Sequence, residues 1–429
     1  MKTTALILTA AGASLVATAG AQAGSFALRE QSTKGLGLAN AGVTAGSGGV
    51  GSMYWNPATM TQFSGLQTQL NMAGIFPEAD ITPTTGTSPI LLMLGGTGSS
   101  GDIAADAALP SAYLSYQLND QIWLGLAVNS PFGLSTELPY NYSGQIYARK
   151  SKVLSVDINP TVAYKVNEWL SLGVGLQVMY FHTKLSQATS PFPFAPSAEL
   201  KGDSWGVGAT AGLTFTPFAG TQIGVGYRSA VQESLGGDLT LGARVSSLPA
   251  GAYGVNANLI LPEQVSVGVS QVVTDQLTMH ANFEWTNWSR LGHVTVTGTS
   301  GLTSGIPLTE LPFEYNDGYY LAIGAEYRVN DQFTFRGGFG YEWSPIDIYN
   351  RDLRVPDANR VTLATGMTYQ WSENLSFDLA YAYLFTTGNG DVSLTPGNPH
   401  YVTGLPFVGS VSSDVQLVSA GLTYKFDGF

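Results

Sequence analysis

Residues Phe333 to Trp343 read F-T-F-R-G-G-F-G-Y-E-W. The odd positions carry Phe333, Phe335, Gly337, Phe339, Tyr341 and Trp343, and the even ones Thr334, Arg336, Gly338, Gly340 and Glu342. A period of two is the signature of a β-strand, whose side chains point alternately to opposite faces. One face this aromatic, backed by glycine and charge, suits lipid outside and a polar lumen inside. The pattern recurs. In Leu170–Tyr180, Leu170, Leu172, Val174, Leu176, Val178 and Tyr180 alternate with Ser171, Gly173, Gly175, Gln177 and Met179. In Phe377–Phe385, Phe377, Leu379, Tyr381, Tyr383 and Phe385 alternate with Asp378, Ala380, Ala382 and Leu384. Alternation alone also fits a large soluble β-sandwich with a buried apolar face.

Composition and the first residues favour the membrane. Apolar residues make up 44% of the chain and charged residues only 11%, against about 25% charged in an ordinary soluble domain. No apolar run beyond the leader is long enough for a membrane-spanning helix, so the apolar residues must be dispersed at every second position. The 52 glycines and 21 tyrosines fit the same picture. Residues 1–23 read as a signal peptide, with Lys2, an apolar Ala5–Ala17 and the small-residue site Ala21-Gln22-Ala23. A retained anchor is the competing reading. There is no cysteine, which excludes a disulfide framework and a thiol nucleophile. A net charge of −12 argues against a nucleic-acid partner.

Connections alternate short and long. Short turns fall at Asn119-Asp120, Asn167-Glu168, Ala219-Gly220, Thr274-Asp275, Asn330-Asp331 and Ser372–Asn374; long ones fall near 77–108, 134–149, 188–200, 236–254, 290–313, 345–357 and 388–411. Six short turns and seven long loops require fourteen strands, with both chain ends on the short-turn side, as in bacterial outer-membrane barrels. Tyr116, Tyr164, Phe215, Tyr327, Tyr369 and Tyr424 close six of the seven strands descending to that side, an interfacial girdle. The strand ending near Val273 breaks the rule. The last strand, Gly421–Phe426 (G-L-T-Y-K-F), resembles the terminal signal that barrel assembly machinery recognises.

One stretch does not alternate. Gly24–Phe63 contains the glycine-rich Gly46–Gly51 and ends W-N-P-A-T-M-T-Q-F. Asn56-Pro57 is a helix-start signal, because Asn accepts an orphan N–H and Pro suits the first helical position. Phe26, Leu28, Leu36, Leu38, Tyr54, Trp55 and Phe63 are more apolar surface than a flexible linker needs. The expectation is an all-β, 14-stranded antiparallel transmembrane β-barrel over 64–429, with 24–63 as an N-terminal hatch of short helices inside its lumen.

Signals for catalysis are missing from the sequence. His182, His280, His293 and His400 lack metal-ligand spacing, and no H-E-x-x-H, G-x-S-x-G or phosphate-binding loop occurs. Neither an enzyme nor a metal or cofactor is expected. Apolar clusters at Ile90–Leu94, Pro191–Pro196 and Leu405–Val408 lie in expected exterior loops, either as binding surface or packed together to close the barrel top. Asn129–Leu134 (N-S-P-F-G-L) interrupts the regular strand Gln121–Val128. Pro131 cannot donate to a ladder. Unpaired backbone facing lipid is costly, so such a break must be covered or line a cavity. An opening in the wall satisfies this; so does a strand that simply ends at its loop.

With these residues laid out, the chain resembles the FadL/TodX family of outer-membrane transporters for long-chain fatty acids and other hydrophobic compounds. In the hatch the resemblance rests on Phe26, Leu28 and Glu30 (F-x-L-x-E), Gly35–Gly37 and Asn56-Pro57-Ala58. Further on it rests on Pro131–Leu134, Tyr227–Ser229, Leu261–Glu263, Thr286–Ser289, Asn316–Tyr319, Phe333–Arg336, Ser344-Pro345 and Val355–Arg360. It implies a barrel closed by a hatch and a third strand kinked at Pro131-Phe132-Gly133 that opens sideways into the membrane. It further implies exterior loops that catch a ligand, an interior pocket that holds it, and movement of the hatch near Phe26 that releases it. Family members that take fatty acids place basic side chains toward the carboxylate; the matching positions here hold Gln187 and Asn316, leaving Lys184 and Arg336 as candidate partners. An uncharged aromatic hydrocarbon is the alternative ligand, and a polar-solute porin the alternative function. The expected partners are a hydrophobic small molecule (fatty acid or aromatic hydrocarbon), outer-membrane lipid and, during biogenesis, the assembly machinery.

Overall fold

The computed structural model describes residues 24–388 and 390–428, so the expected signal peptide lies outside the described residues. Fourteen strands form the wall. They are β1 (Leu66–Pro83), β2 (Ala107–Gln117), β3 (Ile122–Asn129, resuming at Gly133–Glu137), β4 (Lys150–Asn167), β5 (Leu170–Ala188) and β6 (Ser197–Phe215). Four follow in two segments each: β7 (Thr221–Arg228, Val231–Leu241), β8 (Gly251–Leu261, Gln264–Val272), β9 (Leu277–Thr286, His293–Gly298) and β10 (Pro307–Pro312, Gly318–Arg328). The last are β11 (Phe333–Trp343), β12 (Arg360–Gln370), β13 (Leu375–Thr386) and β14 (Phe407–Phe426). Neighbours are antiparallel, and β1 pairs with β14 from Leu66↔Phe426 to Pro83↔Gly409. Closure pairs the first strand with the last, so neither end of the sheet is left open to lipid, where an unpaired N–H or C=O would cost several kcal/mol.

The alternation sorts as its chemistry requires. On β11, Phe335 and Phe339 are 47% and 43% exposed, whereas Arg336 and Glu342 are 8% and 4%. All six short turns join strands at the expected places. Where β8 ends at Val272 without an aromatic, the neighbouring β6–β7 turn presents Phe218, 68% exposed. The exterior loops are shorter than their composition implies. Parts of 134–149, 188–200, 236–254 and 290–313 are strand, because the wall continues past the lipid around an apolar interior that buries Leu239, Leu241, Val294 and Val296. The apolar loop clusters divide. Ile90–Leu94 lies in a short helix, α1 (Pro89–Gly95), with Leu91 buried and Met93 exposed, while Phe407 is buried and Phe192 and Phe194 are exposed.

Residues 24–63 fill the lumen with one helical turn (Thr33–Leu36) and three 3₁₀ turns (Val43–Ala45, Gly49–Tyr54, Pro57–Gln62). Asn56 caps the last of these: its Oδ1 accepts from Ala58 N at 3.0 Å, and its Nδ2 donates to Thr44 O and to Leu213 O on the wall. Glycines on the inner wall admit the plug's backbone. A Cβ on Gly224 or Gly226 would stand 1.9 Å from Thr44 O or Trp55 O. Arg228 ties plug to wall, donating to Tyr54 O (3.0 Å) and Asp157 (2.7 Å) with its guanidinium 4.2 Å from the Tyr54 ring centre.

Candidate functional site

The third strand breaks and resumes. Asn129 pairs with Asp157 and Gly133 with Leu154, so Ser130-Pro131-Phe132 face only Ser155 and Val156 on β4. On the other side, pairing with β2 stops at Ala112↔Val128 and returns only as the isolated bridge Ala104↔Thr136. The freed backbone is served from inside the barrel. Leu28 N donates to Pro131 O (2.8 Å), Gly133 N donates to Phe26 O (2.9 Å), and Ala27 bridges Phe132. Gln31 Nε2 donates to Ser130 O at 2.8 Å, and Phe132 N donates to Ser155 Oγ at 2.8 Å. The start of the plug thus acts as a substitute strand behind a seam between β2 and β3. A narrow slit of about 20 Å³ lies there, between Pro110, Val128, Ser130 and Leu154.

Behind the seam is an apolar pocket. Phe26 is the only plug residue on its lining, opposite Leu134, Val153, Phe181, Leu235 and Leu259. The Phe26 ring packs edge-on against Trp288 (4.7 Å between centroids) and Phe132 (5.9 Å), so one side chain separates pocket from kink. The free space is ≈ 70 Å³, well below the ~300–1,000 Å³ of sites that hold drug-sized ligands. Above it a groove of ≈ 790 Å³ opens toward the exterior, lined by Leu241, Leu248, Leu302 and Ile306. Leu185, Leu200, Leu311 and Arg354 line both spaces, making them one path.

Charge sits at the junction of the two spaces and again beneath the pocket. At the junction, Arg354 donates to Asp352 at 2.8 Å and to Gln187. Burial pushes Asp352 up, but His400 and Arg354 outweigh it and hold the carboxyl below its usual range. Below the pocket, Arg29 of the plug binds Glu284 of β9 at 2.9 Å and Glu342 of β11, and lies 4.6 Å from the Tyr320 ring centre. Next to it Glu30 is 5% exposed with Oε2 unpartnered, and burial pushes its carboxyl up to about 7 despite Arg29.

The structure thus brings Phe26, Pro131, Phe132 and Gly133 together, with Glu30 below and Asn56, Pro57 and Ala58 at the plug's far end. Of the four candidate pocket residues only Gln187 lies on the path. Lys184 does not, because Thr183 and Leu185 point inward and it points out, paired with Glu199 at 2.8 Å. Asn316 is exposed and bonded to Asp347; its neighbour Tyr315 is the pocket residue. Arg336 is buried on the lower part of β11, bonded to Glu326 (2.7 Å) and Thr368 (2.6 Å). Sequence reasoning missed Arg354 and Asp352, which lie in a long connection read as exterior. The signal available was Arg354 abutting the V-P-D-A-N-R group.

A closed barrel with an internal plug, an apolar path and a seam in its wall defines a plugged outer-membrane transport protein. The family model for outer membrane protein transport proteins (OMPP1/FadL/TodX) matches residues 14–426, and the chain belongs to that family. A long-chain fatty acid transport protein of Escherichia coli O6:H1 is 29% identical over 422 residues, covering 89% of this chain and 92% of the relative. Outer membrane protein P1 of Haemophilus influenzae is 28% identical, covering 87% and 88%. Among solved structures, a Pseudomonas aeruginosa FadL homologue superposes with a TM-score of 0.81 at 25% identity, over 94% of this chain and 100% of that one. The Ralstonia pickettii toluene transporter TbuX superposes with a TM-score of 0.68 at 20% identity, covering 92% and 98%, and shares the fold. The chain is therefore a multi-pass barrel of the bacterial outer membrane.

Proposed function

We propose that this protein carries long-chain fatty acids passively across the outer membrane, from the exterior groove into the pocket and out through the β2–β3 seam. The observation that carries the reading is the placement of Phe26, with the backbone bonds that Phe26 O and Leu28 N make to the kink, between an apolar pocket and a gap in the wall. Exposing an acyl chain to water costs ~0.8 kcal/mol per CH₂, so a wet pore is a barrier to such a ligand. A greasy path with a side exit into the bilayer avoids that cost. Arg354, at the junction of groove and pocket, is the residue placed to receive the carboxylate, exchanging Asp352 or Gln187 for it. The fatty acid relatives favour this ligand class; the toluene transporters of the same fold make an aromatic hydrocarbon the second reading, in which Arg354 stays paired with Asp352. The end of β14, Gly421–Phe426, is assigned as the signal to the assembly machinery.

A cross-link tests the exit. Continued past Ala112↔Val128, the β2–β3 register would set Pro110 opposite Ser130. The chain has no cysteine of its own, so a Pro110→Cys, Ser130→Cys pair would form a single defined disulfide. Oxidised protein should bind fatty acid but not deliver it, and reduction should restore delivery. Undiminished delivery by oxidised protein would refute the side exit.

A further inference from the structure

The inner faces of β4, β5 and β6 build the pocket; their outer faces hold a feature that transport does not use. Val153, Leu185 and Leu200 line the pocket, so by strand alternation Lys152, Lys184 and Lys201 point outward. The register makes them direct neighbours: Lys152 faces Lys184, and Lys184 faces Lys201. Lys150 follows one step higher on β4. The chain has eight lysines in all, and half of them stand in this patch. One step below, His182 and Asp203 stand opposite each other, a carboxylate beside the row, and beneath them the surface turns apolar. Tyr180 and Trp205, two steps below Lys184 and Lys201, pack with ring centroids 5.3 Å apart. Trp205 is 63% exposed, and beneath the pair Val207 and Leu176 are 64% and 47% exposed.

This order, lysines above an aromatic pair above bare aliphatic wall, lies on the long-loop and hence exterior half of the barrel. Carboxylates are present too. Glu137 pairs with Lys150 at 2.7 Å and Glu199 with Lys184 at 2.8 Å, and Asp238 stands opposite Lys201 in the ladder. Among the described residues, no carboxylate lies within 4.0 Å of the amine of Lys152 or Lys201. Like charges directly opposite each other across a ladder are unfavourable unless an anion bridges them.

We propose that Lys152, Lys184 and Lys201 form a binding site for the phosphorylated glycolipid of the outer leaflet. Its phosphates bridge the lysine row, its sugars lie over Tyr180 and Trp205, and its acyl chains run down Val207 and Leu176. Charge complementarity and the continuous apolar strip select this occupant. A free phosphate uses only the upper half of the site, and an uncharged lipid only the lower half. The site does not depend on which ligand passes through the lumen.

The test uses full-length protein in detergent, with lipid A, phosphatase-treated lipid A and inorganic phosphate as probes, read by native mass spectrometry. Lipid A should bind and the other two should not. The triple variant Lys152→Gln, Lys184→Gln, Lys201→Gln should bind lipid A about a hundredfold more weakly, at the usual contribution of each lysine near an anionic lipid surface. The triple arginine variant should retain binding, and Lys165→Gln, far from the patch, should change nothing. Heat-shifted migration on gels verifies that each barrel has folded. Equal binding of the dephosphorylated lipid to wild-type protein overturns the proposal even if no variant folds. So does undiminished lipid A binding by the glutamine variant.

Discussion

If Phe26 is the gate, Phe26→Ala should open it without unfolding the barrel. The ring is 4% exposed and makes two edge-on aromatic contacts, to Trp288 at 4.7 Å and Phe132 at 5.9 Å. Deleting a buried Phe side chain costs ~3–5 kcal/mol. About 0.5–1.5 kcal/mol per close ring pair belongs to the aromatic geometry itself. The wall is held by fourteen ladders that do not involve Phe26, so the loss falls on the docked N-terminal segment. That segment keeps the bonds from Leu28 N to Pro131 O and from Gly133 N to Phe26 O, and the Arg29 ion pairs. If only ~1.4 kcal/mol of the loss bears on the docked-to-undocked balance, undocking rises about tenfold. Release of a fluorescent long-chain fatty acid from purified protein should then accelerate about tenfold or more, and equilibrium binding should weaken, because the same ring lines the pocket. Trp288→Ala should speed release less than additively with Phe26→Ala, since the two rings share one contact. Release within about twofold of wild type from a heat-shifted, folded variant would refute gating by this side chain.

Three further outcomes follow from the same geometry. Arg354→Gln should weaken fatty acid binding by roughly ten- to a hundredfold, the worth of a hydrogen bond to a charged group, and leave toluene binding unchanged; equal losses in competition binding would show a packing role instead. Glu30 sets a pH dependence. Its carboxyl is raised from the usual 4.5 to about 7 while docked, so the docked plug holds the proton more tightly than a hydrated one. Docking should be firmest below pH 4.5, weaken between there and about 7, and level off above; Glu30→Gln should flatten the profile of protease nicking near the N-terminus. Finally, Gly226→Val would drive a side chain into Trp55 O, 1.9 Å from the Cβ position. It should displace the plug base and give steady ion conductance in planar bilayers, where wild-type protein stays closed; a silent variant would mean that the plug does not seal the lumen.

Sequence by itself determined the wall. Two-residue periodicity, scarce charge and alternating turn lengths leave a fourteen-stranded barrel as the one arrangement that satisfies every backbone group in lipid. Each of those signals is local, carried within a strand or its turn. It also located the kink, because Pro131 cannot donate to a ladder wherever it is placed. The tertiary structure alone decided which residues line the apolar path. Lys184 and Leu185 are adjacent in sequence and lie on opposite sides of the wall. Arg354 reaches the path from a connection whose composition marks it as exterior. The plug's start pairs with a strand about a hundred residues away, across Ala27 and Phe132. No periodicity encodes such contacts: closing the barrel brings distant segments together in a lumen where buried backbone N–H and C=O groups must find partners.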